Sequence, residues 1–154
     1  MSAPLTTSTL TLGGAADGDA VTGRANIFEM TAAAEEAVLA PADVGAFPHD
    51  MRAALAARMA RLNGDEAAAA HYEARMEGPA HAALADPSHP GEGPLLAFVD
   101  KTAAAPKDIV AADIKTLQAA GVSDADIVRL CELIAFMAYQ LRVIAGLRLM
   151  GQTA

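Results

Sequence analysis

The stretch Leu62-Asn63-Gly64-Asp65-Glu66-Ala67-Ala68-Ala69-Ala70-His71-Tyr72 reads as the end of one helix, a short stop and the start of the next. Gly64 suits the left-handed conformation that closes a helix, and Asn63 is a tolerable neighbour. Asp65 is placed as an N-cap. Its carboxylate accepts from free amides one turn on, and its charge suits the positive end of the helix. Helical spacing puts Asp65, Ala68, Ala69 and Tyr72 on one face, and Gly64, Ala67 and His71 on the next. A helix start with a histidine two turns in is a good setting for chemistry, yet only alanines lie between.

Working outward, composition restricts the fold. The chain has 154 residues, enough for one domain with a core. It is 53% hydrophobic but only 4% aromatic, with no Trp, so the core is built from Ala, Leu, Ile, Val and Met. That composition predicts closely packed helices rather than a sheet sandwich. A net charge of -8 without any Lys/Arg cluster argues against nucleic acid as a partner. The single Cys131 excludes an intramolecular disulfide. The N-terminus has no basic region followed by an apolar one, so no signal peptide is expected. Leu133 to Met150 is the most apolar segment, but Gln140, Arg142 and Arg148 interrupt it. No membrane span is expected, and the predicted setting is cytoplasmic.

Residues 1–23 are expected to form an N-terminal arm or tail: a mobile tail, or an arm extended at Thr9-Leu10-Thr11-Leu12, for which a partner subunit is one candidate to hold it down. A single helical domain then covers 24–151, with about six or seven helices. The first runs from Ala25 to Leu39, with Ile27, Met30, Ala34 and Val38 in phase. The second starts at Pro48, carries Met51, Leu55, Met59 and Leu62, and leaves Arg52, Arg58 and Arg61 off that stripe. The Asp65 helix runs to about Met76. Ala80 to Ala85 adds a turn or two, and Asp86 to Pro94 is a Pro/Gly loop. Helices follow over Leu95 to Ala105 and up to Ala120, where Gly121 caps. The last begins at the capping-box-like Ser123-Asp124-Ala125-Asp126. Its stripe is Ile127, Leu130, Cys131, Ile134, Ala138, Leu141, Ala145 and Leu149. Leu133, Met137 and Ile144 widen that apolar face and predict burial both in the core and at a subunit interface.

Two segments together resemble a known superfamily. One is Ala119-Ala120-Gly121-Val122-Ser123-Asp124-Ala125-Asp126-Ile127, continuing through Ile134-Ala135-Phe136 to Arg142. The other is the Asn63-Gly64 stop with His71. The pair resembles the carboxymuconolactone decarboxylase and alkylhydroperoxidase-D-like (AhpD-like) superfamily, including its peroxidase-related branch, over roughly Pro48 to Met150. The resemblance implies an all-α, AhpD-like helical bundle that forms a homo-oligomer. Redox members of that superfamily carry Cys-x-x-Cys-x-x-x-His just after the helix stop. Anchored on Asn63-Gly64, those positions fall on Asp65, Ala68 and Tyr72. Anchored on the histidine, they fall on Gly64, Ala67 and His71. Both cysteines are missing in either register. The family's glutamate one helix earlier would fall near Arg52 or Ala53, with Asp50 the nearest acid.

A first thiolate at a helix N-terminus with a second thiol at i+3 attacks a peroxide and then closes a disulfide. Asp65 keeps the anion and the cap but cannot be oxidised, and alanine resolves nothing. A dithiol peroxidase mechanism within this chain is therefore excluded. His71 is open to two readings: a packing or hydrogen-bonding residue, or a general base. Asp65 reads as an N-cap, and is retained with His71 as a candidate catalytic pair. Cys131, on the apolar stripe, reads as an inert thiol. Glu132 and Arg142 read as ion-pair partners, while Tyr139 and Arg142, one turn apart, are placed to reach a pocket together. His49, His71, His81 and His89 show no metal-ligand spacing, so no metal and no cofactor are expected. Two functions follow. One is a diverged ligand-binding or accessory protein that takes a small molecule. The other is an acid/base enzyme of decarboxylase type with His71 as base.

Overall fold

Alanine allows one helix to be enclosed by the others. In the computed structural model of the protein, residues 6–14, 18–90 and 93–152 are described. Eight α-helices and no strand occur among them: α1 Ser8–Gly13, α2 Asp19–Thr22, α3 Ala25–Leu39, α4 His49–Leu62, α5 Glu66–Glu73, α6 Pro94–Ala104, α7 Ala111–Ala119 and α8 Asp124–Gln152. Short 3-10 turns occupy Ala82–Ala85 and Pro106–Asp108. Helix α4 lies at the centre, against α3, α5, α6, α8 and the first 3-10 turn. Every residue from Arg52 to Ala60 is buried. Ala53, Ala54, Ala56, Ala57 and Ala60 bring the neighbouring helices close, and Leu55 and Met59 fill the remaining space.

The arginines expected off the apolar stripe of α4 are inside as well. Arg52 and Arg58 are each 2% exposed. Arg52 donates from Nε to the Phe47 carbonyl at 2.8 Å, and from its two terminal nitrogens to Val38 and Val44 at 2.9 Å each. It thereby ties the last turn of α3 and the 40–47 connector to α4. Arg58 grips both carboxylate oxygens of Asp100 on α6 at 2.6 Å and donates to the Asp86 carbonyl at 2.7 Å. Arg61 reaches Glu73 at 2.6 Å and the Ala85 carbonyl at 3.0 Å. The buried Arg52 and Arg58 are tolerated because each of their guanidinium nitrogens finds an oxygen.

The structure departs from the sequence reading at three helices. The Thr9-Leu10-Thr11-Leu12 segment is helical rather than extended. Thr7 caps α1 by accepting from Leu10 N at 3.3 Å, and Gly14 closes it at φ +66°. Three-residue spacing prevails over the short alternation because Leu10 and Gly13 both face inward, Leu10 against Val21, Phe28 and Leu147. A Cβ on Gly13 would lie 2.7 Å from Leu147 Cδ1. Helices α1 and α2 raise the expected count, while residues 1–5 and 15–17 of the expected arm, and Gly91-Glu92 of the loop, lie outside the described residues. In α3 the buried face is Phe28, Thr31, Glu35 and Leu39, one residue on from the expected stripe, leaving Met30 65% exposed. In α8 the second half turns Ile144 and Leu147 inward, leaving Ala145 and Leu149 outside. That helix is long and apolar enough to cross a membrane by length and composition, and 50% of its apolar window is buried within the fold.

The start of α8 is fixed by Asp126. Its backbone N–H donates to Ser123 Oγ at 3.2 Å, and its carboxylate accepts from Ala46 N at 3.0 Å, Ser123 Oγ at 2.7 Å and Arg129 at 3.0 Å. The expected cap is therefore also the contact between α8 and the 40–47 connector.

Replacing Arg58 with Met should lower the unfolding free energy by about 2 kcal/mol. Asp100 is one-third exposed and rehydrates, but the carbonyls of Leu84 and Asp86 lose their donor. Urea unfolding at pH 7 reads this, and a change within about 0.5 kcal/mol would show no net contribution from this contact.

Candidate functional site

Helix α5 begins as the sequence requires. Gly64 takes φ +75°, and Asp65 caps the helix by accepting from Ala68 N at 3.0 Å. Arg148 of α8 holds the same carboxylate at 2.8 and 3.2 Å, leaving Asp65 8% exposed. Asp65 is thus committed to joining α5 and α8. Ala68, Ala69 and Tyr72 are fully buried on the face assigned to them, and His71 sits beside them half-buried. Asp65 and His71 have separate partners and do not form a pair.

His71 and Tyr72 instead meet Glu35, a residue the sequence reading passed over. Glu35 projects from the buried face of α3 and is 3% exposed. The Tyr72 hydroxyl lies against Glu35 Oε1 at 3.2 Å and against Gln140 Oε1. Gln140, from the middle of α8 and fully buried, donates from Nε2 to Thr9 Oγ1 at 3.2 Å. Four helices, α1, α3, α5 and α8, therefore converge on one enclosed polar cluster. Arg75, just past α5, places one guanidinium nitrogen 3.6 Å from Glu35 Oε1 and the other 2.7 Å from Glu36. His71 Nε2 lies 3.9 Å from the same Glu35 oxygen, too far for a hydrogen bond. That nitrogen is buried and has no hydrogen-bond partner among the described residues. The His71 ring stands edge-on to Tyr72 at 5.0 Å.

The electrostatics favour a fixed anion. Burial pushes the Glu35 carboxyl up, but His71, Ser8, Tyr72 and the Arg75 charge together bring it below its ordinary value. Burial and the neighbouring Glu35 charge drive the Tyr72 hydroxyl well up, so it stays a proton donor. Chemically, the cluster holds one carboxylate, one phenol and one imidazole whose inner nitrogen faces that carboxylate. It contains no nucleophilic sulfur. Cys131 is on α8, half-buried, and burial, with Glu132 nearby, pushes its thiol up, away from the reactive thiolate. No group of three or more His, Cys, Asp or Glu side chains placed to hold a metal ion occurs among the described residues.

Sequence reasoning missed Glu35, Gln140 and Thr9 for one reason. Gln140 reads as an interruption of an apolar segment and Thr9 as part of an arm, and Glu35 falls off the expected α3 stripe, whereas all three are polar residues buried with partners. The available signal was a polar side chain at an inward position: Glu35 lies four residues after Thr31 and four before Leu39. Tyr139 and Arg142 also separate: Tyr139 bonds Thr31 at 3.0 Å, whereas Arg142 lines a groove against α4 and α6. A comparison with known protein families, with curated protein sequences and with solved structures finds no match for the chain.

Folding lowers the Glu35 pKa, so its stabilisation is complete above the unfolded value of about 4.3 and fades as pH falls through the lower folded value. Glu35→Gln should therefore cost about 1–2 kcal/mol at pH 7 and much less at about pH 3. Urea unfolding at both pH values checks it. An equal cost at both would mean that the charge contributes nothing.

Proposed function

We propose that this chain is a ligand-binding or accessory protein, a diverged carboxymuconolactone decarboxylase/alkylhydroperoxidase-D-like helical protein without dithiol peroxidase chemistry. The observation that carries this reading is what occupies the redox register. Asp65 is a cap tied to Arg148, Ala68 is a buried packing residue, and Tyr72 is locked between Glu35 and Gln140. A site closed in this way retains the scaffold of a thiol centre while lacking any group that a peroxide could oxidise. The setting in this reading is soluble and cytoplasmic.

A second reading rests on His71. Its inner nitrogen has no hydrogen-bond partner among the described residues and lies 3.9 Å from Glu35. A small rotation would let Glu35 orient the imidazole as a general base for decarboxylation, with the outer nitrogen toward substrate. The packing favours the first reading, because Glu35 is already engaged by Tyr72 and Arg75.

The same reading includes self-association. Between α3 and the second half of α8, Ile27, Tyr139, Val143 and Met150 line a shallow cavity of about 200 Å³. Met30, at 65% exposure, lies on the same helix as Ile27. We assign this flank to a second copy of the chain.

Two measurements test these assignments. Hydroperoxide reduction with a dithiol donor should be absent in wild type and in Cys131→Ser alike; turnover that depends on Cys131 would overturn the non-redox reading. Release of CO2 from a carboxylate substrate that disappears in folded His71→Asn would shift the assignment to the enzyme. For self-association, light scattering should show more than one copy per particle in wild type, and Met30→Glu should lower the mass toward one copy. A monomeric wild type removes the assignment.

A further inference from the structure

The groove on the opposite flank of α8 has a different chemistry. It lies between α4, α6 and α8 and has a volume of about 380 Å³, within the range of small-molecule pockets. Met59, Ile134, Met137 and Leu141 line it, and each is at most 4% exposed. Both methionines are unbranched and adapt their shape to an occupant. One charged side chain lines the groove: Arg142 of α8.

Arg142 differs from six of the other seven arginines. Arg52 is spent on carbonyls. Arg58, Arg61, Arg75, Arg129 and Arg148 all have carboxylate partners. Arg142, which is exposed, and Arg24 on the α3 flank have no side-chain hydrogen bond or ion pair among the described residues, and of the two only Arg142 lines this groove, in a chain of net charge -8 that has many carboxylates to offer. An uncompensated guanidinium beside an apolar groove complements a ligand with an apolar body and one anionic end. A carboxylate matches the guanidinium fork through two parallel hydrogen bonds. A dianionic phosphate would leave a negative charge unmatched, against the overall sign of the chain.

We propose that the groove of α4, α6 and α8 binds a medium-chain aliphatic monocarboxylate, its chain along Leu62, Ala138 and the edge of Leu141 and its carboxylate on Arg142. This deepens the ligand-binding reading above and rests on it.

The test uses the full-length protein, titrated calorimetrically with octanoate and with its neutral counterpart octanamide. Octanoate should bind saturably and about tenfold more tightly than octanamide, as expected for one charge-assisted contact. Arg142→Gln should remove that preference while leaving octanamide binding as it was. Ala138→Phe, which places a ring in the groove, should abolish binding of both, with circular dichroism verifying that the variant is folded. Octanamide binding as tightly as octanoate would overturn the anion assignment but leave the binding reading standing. Octanoate binding that ignores both variants would place the ligand elsewhere and overturn the groove assignment alone. No saturable binding of either compound to the wild type, with a cross-link in the Asn63→Cys variant showing the groove buried between copies, would overturn the ligand assignment in favour of a second copy. No binding with the groove free would remove the binding reading as well.

Discussion

One buried guanidinium sets the frame for everything around it. Arg52 sends three donors to the carbonyls of Val38, Val44 and Phe47, and none of these acceptors belongs to its own helix. Backbone carbonyls at the end of α3 would otherwise lack partners. Satisfying them from α4 fixes where α3 ends and the angle at which it runs back over the core. Glu35 lies one turn before Val38, so the same contact determines where that carboxylate meets α5. The polar cluster of Glu35, Tyr72 and Gln140 is a consequence of how α3 is anchored, and its chemistry depends on a bond made about one turn along that helix.

The cluster also explains why a sequence motif can mislead when one of its residues survives. Anchored on Asn63-Gly64, the third position of the dithiol motif is Tyr72; anchored on the histidine, it is His71. The two side chains are adjacent in the chain but differ in setting. Tyr72 is sealed inside and His71 is one-third exposed. A phenol whose proton is held by burial and by Glu35 is poorly suited to relaying protons near neutral pH. The arrangement stabilises helix contacts more directly than it supports turnover.

Much of the fold was legible because caps and breakers are local. The Gly64 stop, the Asp65 cap and the Ser123–Asp126 start of α8 all follow from residues within one turn. What was not legible depended on partners far away in sequence. The α3 stripe was displaced by one residue because Ile27 and Met30 are more apolar than Thr31 and Glu35, although the latter two are buried by Tyr139 and Tyr72. Hydrophobicity ranks residues by their cost in isolation, whereas a paired polar side chain is stable in the interior. The α1 helix was hidden for a related reason: its two threonines suggest a strand, yet Thr9 is satisfied by Gln140. The candidate site shared this obscurity, since Asp65 and His71 were found from local spacing and Glu35 required the tertiary structure.

The hydrogen bond between Thr9 and Gln140 joins residues 131 positions apart. During synthesis, α1 emerges well before the donor on α8 that Thr9 accepts from. The arginine bonds of α4 close over much shorter spans, from Phe47 to Asp100. The arginine contacts of α4 can therefore close early, while Thr9 lacks its donor and Leu10 its seat against Leu147 until α8 has emerged. The clasp of α1 on α8 is then the final step of folding and, by the same loop-closure cost, among the first to part when the molecule opens.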